Sequence, residues 1–203
     1  MPRRYESSVR AERAGENRAR LVAAAHGLFL REGWTLTTMT QVAAAAGLAR
    51  PALYLHFGTK VELLIACIDT SLSYIPVRER ADYQAMGDGT LTERAATAAR
   101  WLRGAYERSA PIQRVLDDAA VSTPEAAQVQ ARMEERRHDE FANACRLVLG
   151  GGQPPAALVD EVWALGSREM WFKLAARGWS PDEWQAWFLR VVLDVIHAHA
   201  SER

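Results

Sequence analysis

The segment Thr37–Lys60, TTMTQVAAAAGLARPALYLHFGTK, constrains this chain more than any other. Thr38 is followed three residues later by Gln41, the spacing of a capping box that starts a helix. Gly47 follows a run of alanines, where helices commonly end in a left-handed residue. A second helix then begins near Pro51, a residue that suits a first helical turn. The segment predicts two short helices joined by a tight turn, the layout of a helix-turn-helix whose second helix enters a DNA major groove.

The second of these helices has an inward face and an outward face. Leu53 and Phe57 are four residues apart and are expected to pack inward together. The expected DNA contacts come from the other faces of this second helix, from the start of the first helix and from the start of the helix after the motif. They are Thr38, Thr40, Ala49, Arg50, Pro51, Ala52, Tyr54, His56 and Lys60. Arg50 is the expected reader of a base edge, at guanine. Tyr54 and the threonines, with His56, are expected to hold phosphates.

Lys60 occupies the first turn of the following helix, where a cation opposes the helix macrodipole. A phosphate facing that helix end would explain the lysine, because both the main-chain amides and the ammonium would bind it. The alternative is a lysine that is simply solvated. We expect the phosphate contact.

Charge is unevenly distributed along a chain whose net charge is zero. Residues 1–60 carry nine Lys or Arg and four Glu, a net charge of +5, and residues 61–203 carry −5. The positive end therefore coincides with the helix-turn-helix, as a phosphate-binding surface requires. Residues 1–15 are expected to form a flexible basic arm, which either reaches DNA or stays disordered. The preference for Arg over Lys, with abundant Ala, is typical of a GC-rich bacterial genome.

GLARPALYLHFGTKVELL, residues 47–64, resembles the recognition helix and the following helix of TetR-family transcriptional regulators. The preceding TxxQVAAAAG is similar to the family's earlier helix, and AAAHGLFLREGW, residues 23–34, to its first helix. The resemblance covers residues 16–66. The chain departs from the family pattern at Pro51 and Ala52, where small or hydroxyl residues are common, and at Leu55, where an aromatic residue or His is common.

The predicted fold is all-α. A three-helix DNA-binding domain at residues 16–62 follows the arm, and residues 63–203 form a helical ligand-binding and dimerisation domain. Pro76 is expected to end or kink the helix after the helix-turn-helix, because proline lacks a donor and clashes with the preceding turn. The first helix is expected at residues 16–32, with Leu21 and Phe29 on its apolar stripe. Helices are further expected at residues 91–108, 111–120, 124–149, 156–177 and 181–200.

The last two predicted helices carry five of the seven tryptophans. The final helix is apolar over too wide an arc for one packed face, so a symmetry mate is expected to cover the remainder. The resemblance implies a homodimer through these helices, and the expected interface residues are Trp184, Trp187, Phe188, Val191 and Val195. Such a dimer would present two heads to a palindromic operator of double-stranded DNA.

The resemblance also implies a pocket for a small-molecule effector in the second domain. The candidate lining residues are Trp101, Tyr106, Arg137, His138, Phe141, Trp163, Glu169 and Trp171, chosen as aromatic walls with a few polar anchors. Asn143 is a further polar candidate. Glu169 lies on the stripe of Val162, Leu165 and Phe172, so it is expected to be partly buried. Ordinary core packing is the alternative for each aromatic residue.

Several classes of function lack support in the sequence. Cys67 and Cys145 have no metal-type spacing and are expected to be buried thiols. His197 and His199 are two apart on a helix and point in different directions. No hydrolase, phosphate-loop or zinc-protease motif occurs. We therefore expect no catalytic site, metal or cofactor. An apolar run near 18 residues and a signal segment are also missing, which favours a cytoplasmic protein without a membrane span.

The sequence thus favours a ligand-responsive repressor that releases its operator on binding a small molecule. Two alternatives stay open: a DNA-binding protein of the same fold controlled by a protein partner, and a helical enzyme that kept the head as a remnant.

Overall fold

The computed structural model describes residues 3–72 and 77–201, with side chains from residue 12 onward. This part of the chain contains helices and turns but no strand, which confirms the predicted all-α fold. The predicted role of Pro76 lies outside the described residues. The helices are α1 (Arg3–Leu36), α2 (Met39–Ala45), α3 (Arg50–Tyr54), α4 (Lys60–Leu72), α5 (Ala81–Gln84), α6 (Leu91–Ala120), α7 (Pro124–Val148), α8 (Ala156–Leu165), α9 (Arg168–Ala175) and α10 (Pro181–Ser201), with 3-10 turns at Val77–Glu79 and Ala85–Gly87.

The chain divides into two compact units. Unit 1 comprises Met1–Leu72 and Pro111–Gln130, and unit 2 comprises Ser73–Ala110 and Ala131–Arg203. This division differs from the predicted boundary between residues 62 and 63. The structure keeps all of α4 with the helix-turn-helix, because Leu63, Leu64 and Ile68 are buried and α4 packs on α1.

Helix α1 begins at Arg3 rather than near residue 16, so residues 3–15 of the predicted flexible arm are helical. Its regular conformation is interrupted at Gly33, where φ is 72°. That interruption agrees with the predicted helix end near residue 32. Leu21 and Phe29, on the expected apolar stripe, are fully buried, and the ring of Trp34 stacks on Phe29 with centroids 6.0 Å apart.

Helix α6 runs unbroken through Pro111, where two separate helices were predicted. Proline removes one backbone hydrogen bond from a helix interior and normally breaks the helix. Here Ala110 and Ile112 on either side of it are buried, so packing holds the helical conformation against the local preference of the proline. Pro111 also marks the point in α6 where unit 1 takes over from unit 2.

The core of unit 2 is built on a stripe of α10. Trp184, Phe188, Val192 and Ile196 recur every fourth residue, and each is buried. This spacing places all four on one helical face. Helix α10 packs that face against α8 and α9.

A break at Gly166 divides the predicted helix 156–177 into α8 and α9, so that prediction was wrong. Ser167 caps α9, since its Oγ accepts a hydrogen bond from the Met170 amide at 3.3 Å. A Cβ at position 166 would lie 2.7 Å from Cε1 of Phe141 and 3.0 Å from Cζ of Phe188. Only glycine therefore lets the chain approach these rings.

Replacing Gly166 with alanine is expected to destabilise the protein by about 1–3 kcal/mol, because the added methyl group overpacks the core. Urea unfolding of the variant and the wild type would measure this. Gly104→Ala is the matched control: its Cβ would meet only the flexible end of Arg108, at 3.1 Å, and alanine favours a helix interior by about 1 kcal/mol. Equal stability of the Gly166→Ala variant and the wild type would contradict the assigned close contact.

Candidate nucleic-acid interface

The start of α2 is fixed by a reciprocal cap. Oγ1 of Thr38 accepts a hydrogen bond from the Gln41 amide at 3.2 Å, and Oε1 of Gln41 accepts one from the Thr38 amide at 2.8 Å. The Thr38 hydroxyl also donates to the same Oε1, at 2.7 Å. The predicted capping box is confirmed. The hydroxyl proton of Thr38 is therefore already donated within the chain, although the Thr38 side chain is exposed.

The turn between α2 and α3 depends on Gly47. Its φ is 65°, the left-handed conformation that the sequence predicted for it. The Leu48 amide donates to the carbonyl of Ala43 at 2.9 Å, which closes the turn. From α1, the guanidinium of Arg20 donates to the carbonyl of Ala46 at 2.6 Å. Sequence reasoning missed this role of Arg20, because the contact joins residues 26 positions apart.

Leu53 of α3 and Phe57, three residues after the end of α3, are both buried, as predicted. The outward side of α3 carries Arg50 and Tyr54, which are both exposed. Nη2 of Arg50 donates to the Tyr54 hydroxyl at 3.3 Å, and the guanidinium carbon lies 5.5 Å from the centre of the tyrosine ring. The guanidinium is thus supported on an aromatic ring while part of its donor fork remains available to a ligand.

Lys60 is engaged inside the head. Its ammonium donates to the carbonyls of Trp34 at 2.7 Å and Thr37 at 3.0 Å, and it lies 3.9 Å from the centre of the Trp34 ring. Burial lowers the pKa of Lys60 from its ordinary value, while the carbonyl oxygens favour the charged form. An ammonium has three donors, so one remains for a phosphate. The phosphate contact stays a prediction, and the bond to the end of α1 was missed.

The remaining expected contacts surround this surface. Thr40, Ala49 and Pro51 are exposed, and Ala52 and His56 are half-buried. Each residue keeps some surface for a ligand, so their DNA contacts remain predictions.

Comparison with known proteins agrees with this geometry. Residues 21–67 match the family model for bacterial regulatory proteins of the tetR family. The HTH-type transcriptional regulator CymR of Pseudomonas putida is 40% identical over 73 residues, which cover 36% of each chain. That matched region spans about a third of the length of the relative. Residues 21–67 therefore belong to the tetR family of bacterial regulatory proteins.

Solved structures extend the likeness in fold to most of the chain. One is described as a TetR-family transcriptional regulator from Mesorhizobium loti, with a TM-score of 0.72, 16% identity and coverage of 92% of this chain and 98% of that one. Another is NalD, the secondary repressor of the MexAB-OprM multidrug efflux pump in Pseudomonas aeruginosa. Its TM-score is 0.66 at 19% identity, with coverage of 90% and 97%. These proteins are named as regulators rather than enzymes.

Several of the predicted pocket residues come together in unit 2, but as packed side chains. The Tyr106 hydroxyl donates to the carbonyl of Gly166, and burial raises the pKa of Tyr106 to about 12. Its ring lies 5.7 Å from Trp171 and 5.8 Å from Trp184, centre to centre. These contacts describe a filled aromatic core rather than a cavity wall.

A second group surrounds Trp163. The guanidinium carbon of Arg137 lies 5.0 Å from its ring centre and 5.2 Å from that of Phe141. His138 packs edge-on against Trp163 with centroids 5.6 Å apart and pairs with Asp160 at 2.8 Å. The predicted residue Trp101 lies elsewhere, against Tyr83 at 5.1 Å.

Glu169 corrects one expectation, because its side chain is exposed. The break at Gly166 resets the helical phase, so the residue that turns inward is Arg168, at 6% exposure. Arg168 pairs with Glu134 at 2.8 Å, and Arg137 holds the other oxygen of the same carboxylate at 2.9 Å. A buried charge needs such a partner. The helical periodicity of the sequence pointed to Glu169, one residue away, and therefore did not predict that Arg168 is buried.

Unit 2 also contains an open groove that the sequence did not predict. Its volume is about 510 Å³. It is lined by Arg78, Asp139, Ala142, Asn143, Arg146, Gly152, Gln153 and Pro154. Of the predicted ligand candidates, Asn143 lines this groove.

The expected dimer residues divide into two sets. Trp184 and Phe188 are buried in their own unit and have almost no surface left for a partner. Trp187, Val191 and Val195 flank them and stay partly exposed.

The described residues also bear on the excluded functions. Cys67 and Cys145 are free and buried, as predicted, and burial raises the pKa of each thiol to about 12. Within residues 3–72 and 77–201, no group of three His, Cys, Asp or Glu side chains could hold a metal ion. In the same ranges, no helix has the length and apolarity required to span a bilayer.

Lys60→Met is expected to lower the free energy of unfolding by about 1–3 kcal/mol without DNA present, since it leaves two carbonyls without their donor. Thermal or urea unfolding would measure the loss. Arg50→Ala serves as control and should unfold like the wild type, because Arg50 is exposed. If Lys60→Met unfolds like the wild type as well, the contacts to Trp34 and Thr37 do not stabilise the head.

Proposed function

We propose that this chain is a homodimeric transcriptional repressor that binds a palindromic DNA operator and releases it when a small molecule binds the body. The observation that carries the proposal is the exposed Arg50–Tyr54 pair on α3, anchored from behind by buried Leu53 and Phe57. An arginine held in this way suits bidentate recognition of guanine in the major groove. Such a regulator acts on the chromosome, so we propose a cytoplasmic location.

Dimerisation through α10 is supported by its partly exposed flank. Trp187, Val191 and Val195 recur every fourth residue and form a stripe beside the buried one. A second copy would cover this stripe by two-fold symmetry. Two heads spaced by about 34 Å, one turn of DNA, would then meet the halves of a palindrome.

Control by a small molecule is supported by unpaired donors in unit 2. The indole Nε1 atoms of Trp101 and Trp163 are buried, and neither has a hydrogen-bond partner within the described residues. A buried donor without an acceptor is costly, and a ligand oxygen would relieve that cost. The aromatic surroundings of Trp163 favour a flat or lipophilic effector. NalD, which has a similar fold, is a repressor of a multidrug efflux pump, and this likeness supports a role in repression.

The alternative is a regulator of the same fold that answers to a protein partner. It is favoured by the contacts of Tyr106, Trp171 and Trp184, whose rings fill the space between them at 5.1–5.8 Å. The groove beside Asn143 is open and is lined by both polar and apolar groups, which suits a peptide as well as a small molecule.

Selection of bound duplexes from a random pool at near-physiological salt tests the DNA-binding proposal. We expect an enriched palindrome. Arg50→Ala should weaken binding to it by about 1–3 kcal/mol per half-site and relax the preference at one base pair. Tyr54→Phe should weaken binding to all sequences alike, because it removes a phosphate contact.

Retention of both affinity and preference in the Arg50→Ala variant would refute its assignment as reader. Failure of a folded, dimeric wild type to enrich any sequence would refute operator binding by the protein without a co-ligand.

A thermal-shift screen of flat, lipophilic compounds tests control by a ligand. An effector that binds the folded state raises the melting temperature and, on this proposal, weakens operator binding. Trp163→Phe should diminish both responses while leaving operator affinity unchanged. A compound that raises the melting temperature of the wild type and Trp163→Phe equally would place the effector elsewhere. If no compound is active and a peptide binds in the groove beside Asn143, the protein-partner alternative is favoured.

A further inference from the structure

The outward face of α3 is apolar at its centre. Leu55, directly after the helix, is 86% exposed and keeps helical backbone angles. Its amide donates to the carbonyl of Pro51 at 3.2 Å, one turn earlier. At about 100° per residue, Pro51 and Leu55 lie on the side opposite buried Leu53 and Phe57. Leu55 therefore makes almost no packing contact with its own chain.

The residues beside Leu55 on this face offer no hydrogen-bonding side chain. Pro51 is exposed and Ala52 is half-buried, so methyl and methylene groups form the surface. The polar pair of Arg50 and Tyr54 lies along one flank. If this face meets DNA, its centre can recognise bases by apolar contact alone.

The major groove presents one apolar group on its base edges, the C5-methyl group of thymine. The other groups there are hydrogen-bond donors and acceptors, and an alkyl side chain pressed on them would remove their water without replacing it. The exposed leucine therefore discriminates among the four base pairs by favouring a methyl group and disfavouring an amino group.

We propose that Leu55, flanked by Pro51, reads a thymine methyl group in each half-site, beside the guanine contacted by Arg50. The proposal rests on the proposed function, in which α3 enters the major groove. Five residues at 1.5 Å rise separate Arg50 from Leu55 by roughly 7.5 Å along the helix. With base pairs 3.4 Å apart, the thymine is expected about two base-pair steps from the guanine.

The test replaces thymine by deoxyuridine, one symmetric pair of positions at a time, in the enriched operator. This substitution keeps every base-pairing group and removes only the methyl. At one position per half-site, the wild type should bind about fourfold more weakly per half-site, the value of one buried methyl-sized group. In the Leu55→Ala variant, the same uridine should cause no further loss. Val121→Ala is the matched control, since Val121 is 88% exposed in the turn after α6, and it should behave like the wild type.

Three results would overturn the inference. The wild type could bind every uridine-substituted operator as tightly as the original, or the Leu55→Ala variant could still lose fourfold at the same position. Either outcome, with an enriched palindrome in hand, leaves operator binding intact and removes only the role of Leu55. The third result is the absence of any enriched sequence, which refutes the proposed function and this inference together.

Discussion

Two cations bound to main-chain carbonyls hold the helix-turn-helix in place. Arg20 caps the end of α2 at Ala46, and Lys60 caps the end of α1 at Trp34 and Thr37. The last carbonyls of a helix lack partners within it, and a cation there is also favoured by the helix dipole. Helices α2 and α3 have only seven and five residues and would not be stable alone. The direction in which α3 presents its outward side chains therefore depends on contacts made by α1 and α4.

These contacts change what the positive charge of the first 60 residues means. Arg20 and Lys60 contributed to the charge imbalance that indicated a phosphate-binding surface, yet both have internal partners. Arg18 likewise lies 5.2 Å from the ring centre of Phe57. Their charges still add to the positive potential, because potential depends on position and not on bonding. The exposed surface available for the proposed DNA contact is therefore smaller; Arg50 and Tyr54 are among its polar residues and Leu55 is apolar.

In the body, one glycine controls which residues face inward. Gly166 ends α8 between the rings of Phe141 and Phe188, and its carbonyl accepts hydrogen bonds from Tyr106 and Arg137. The break restarts the helical phase at Ser167. Of the aromatic residues predicted as pocket walls, Tyr106 and Trp171 pack on each other. The buried charge belongs to Arg168 rather than to the predicted Glu169. When a helix break is not recognised in the sequence, the helical pattern assigns the wrong residues to the buried face beyond it, because each residue advances the helix by about 100°.

The sequence by itself determined the helical fold, the capping box at Thr38, the turn at Gly47 and the inward pair Leu53 and Phe57. Each of these follows from preferences that act within a few residues. Only the tertiary structure decided that Lys60 binds the end of α1 and that α6 passes through Pro111. Those outcomes are set by partners distant in the chain, whose packing and hydrogen bonds outweigh local preference.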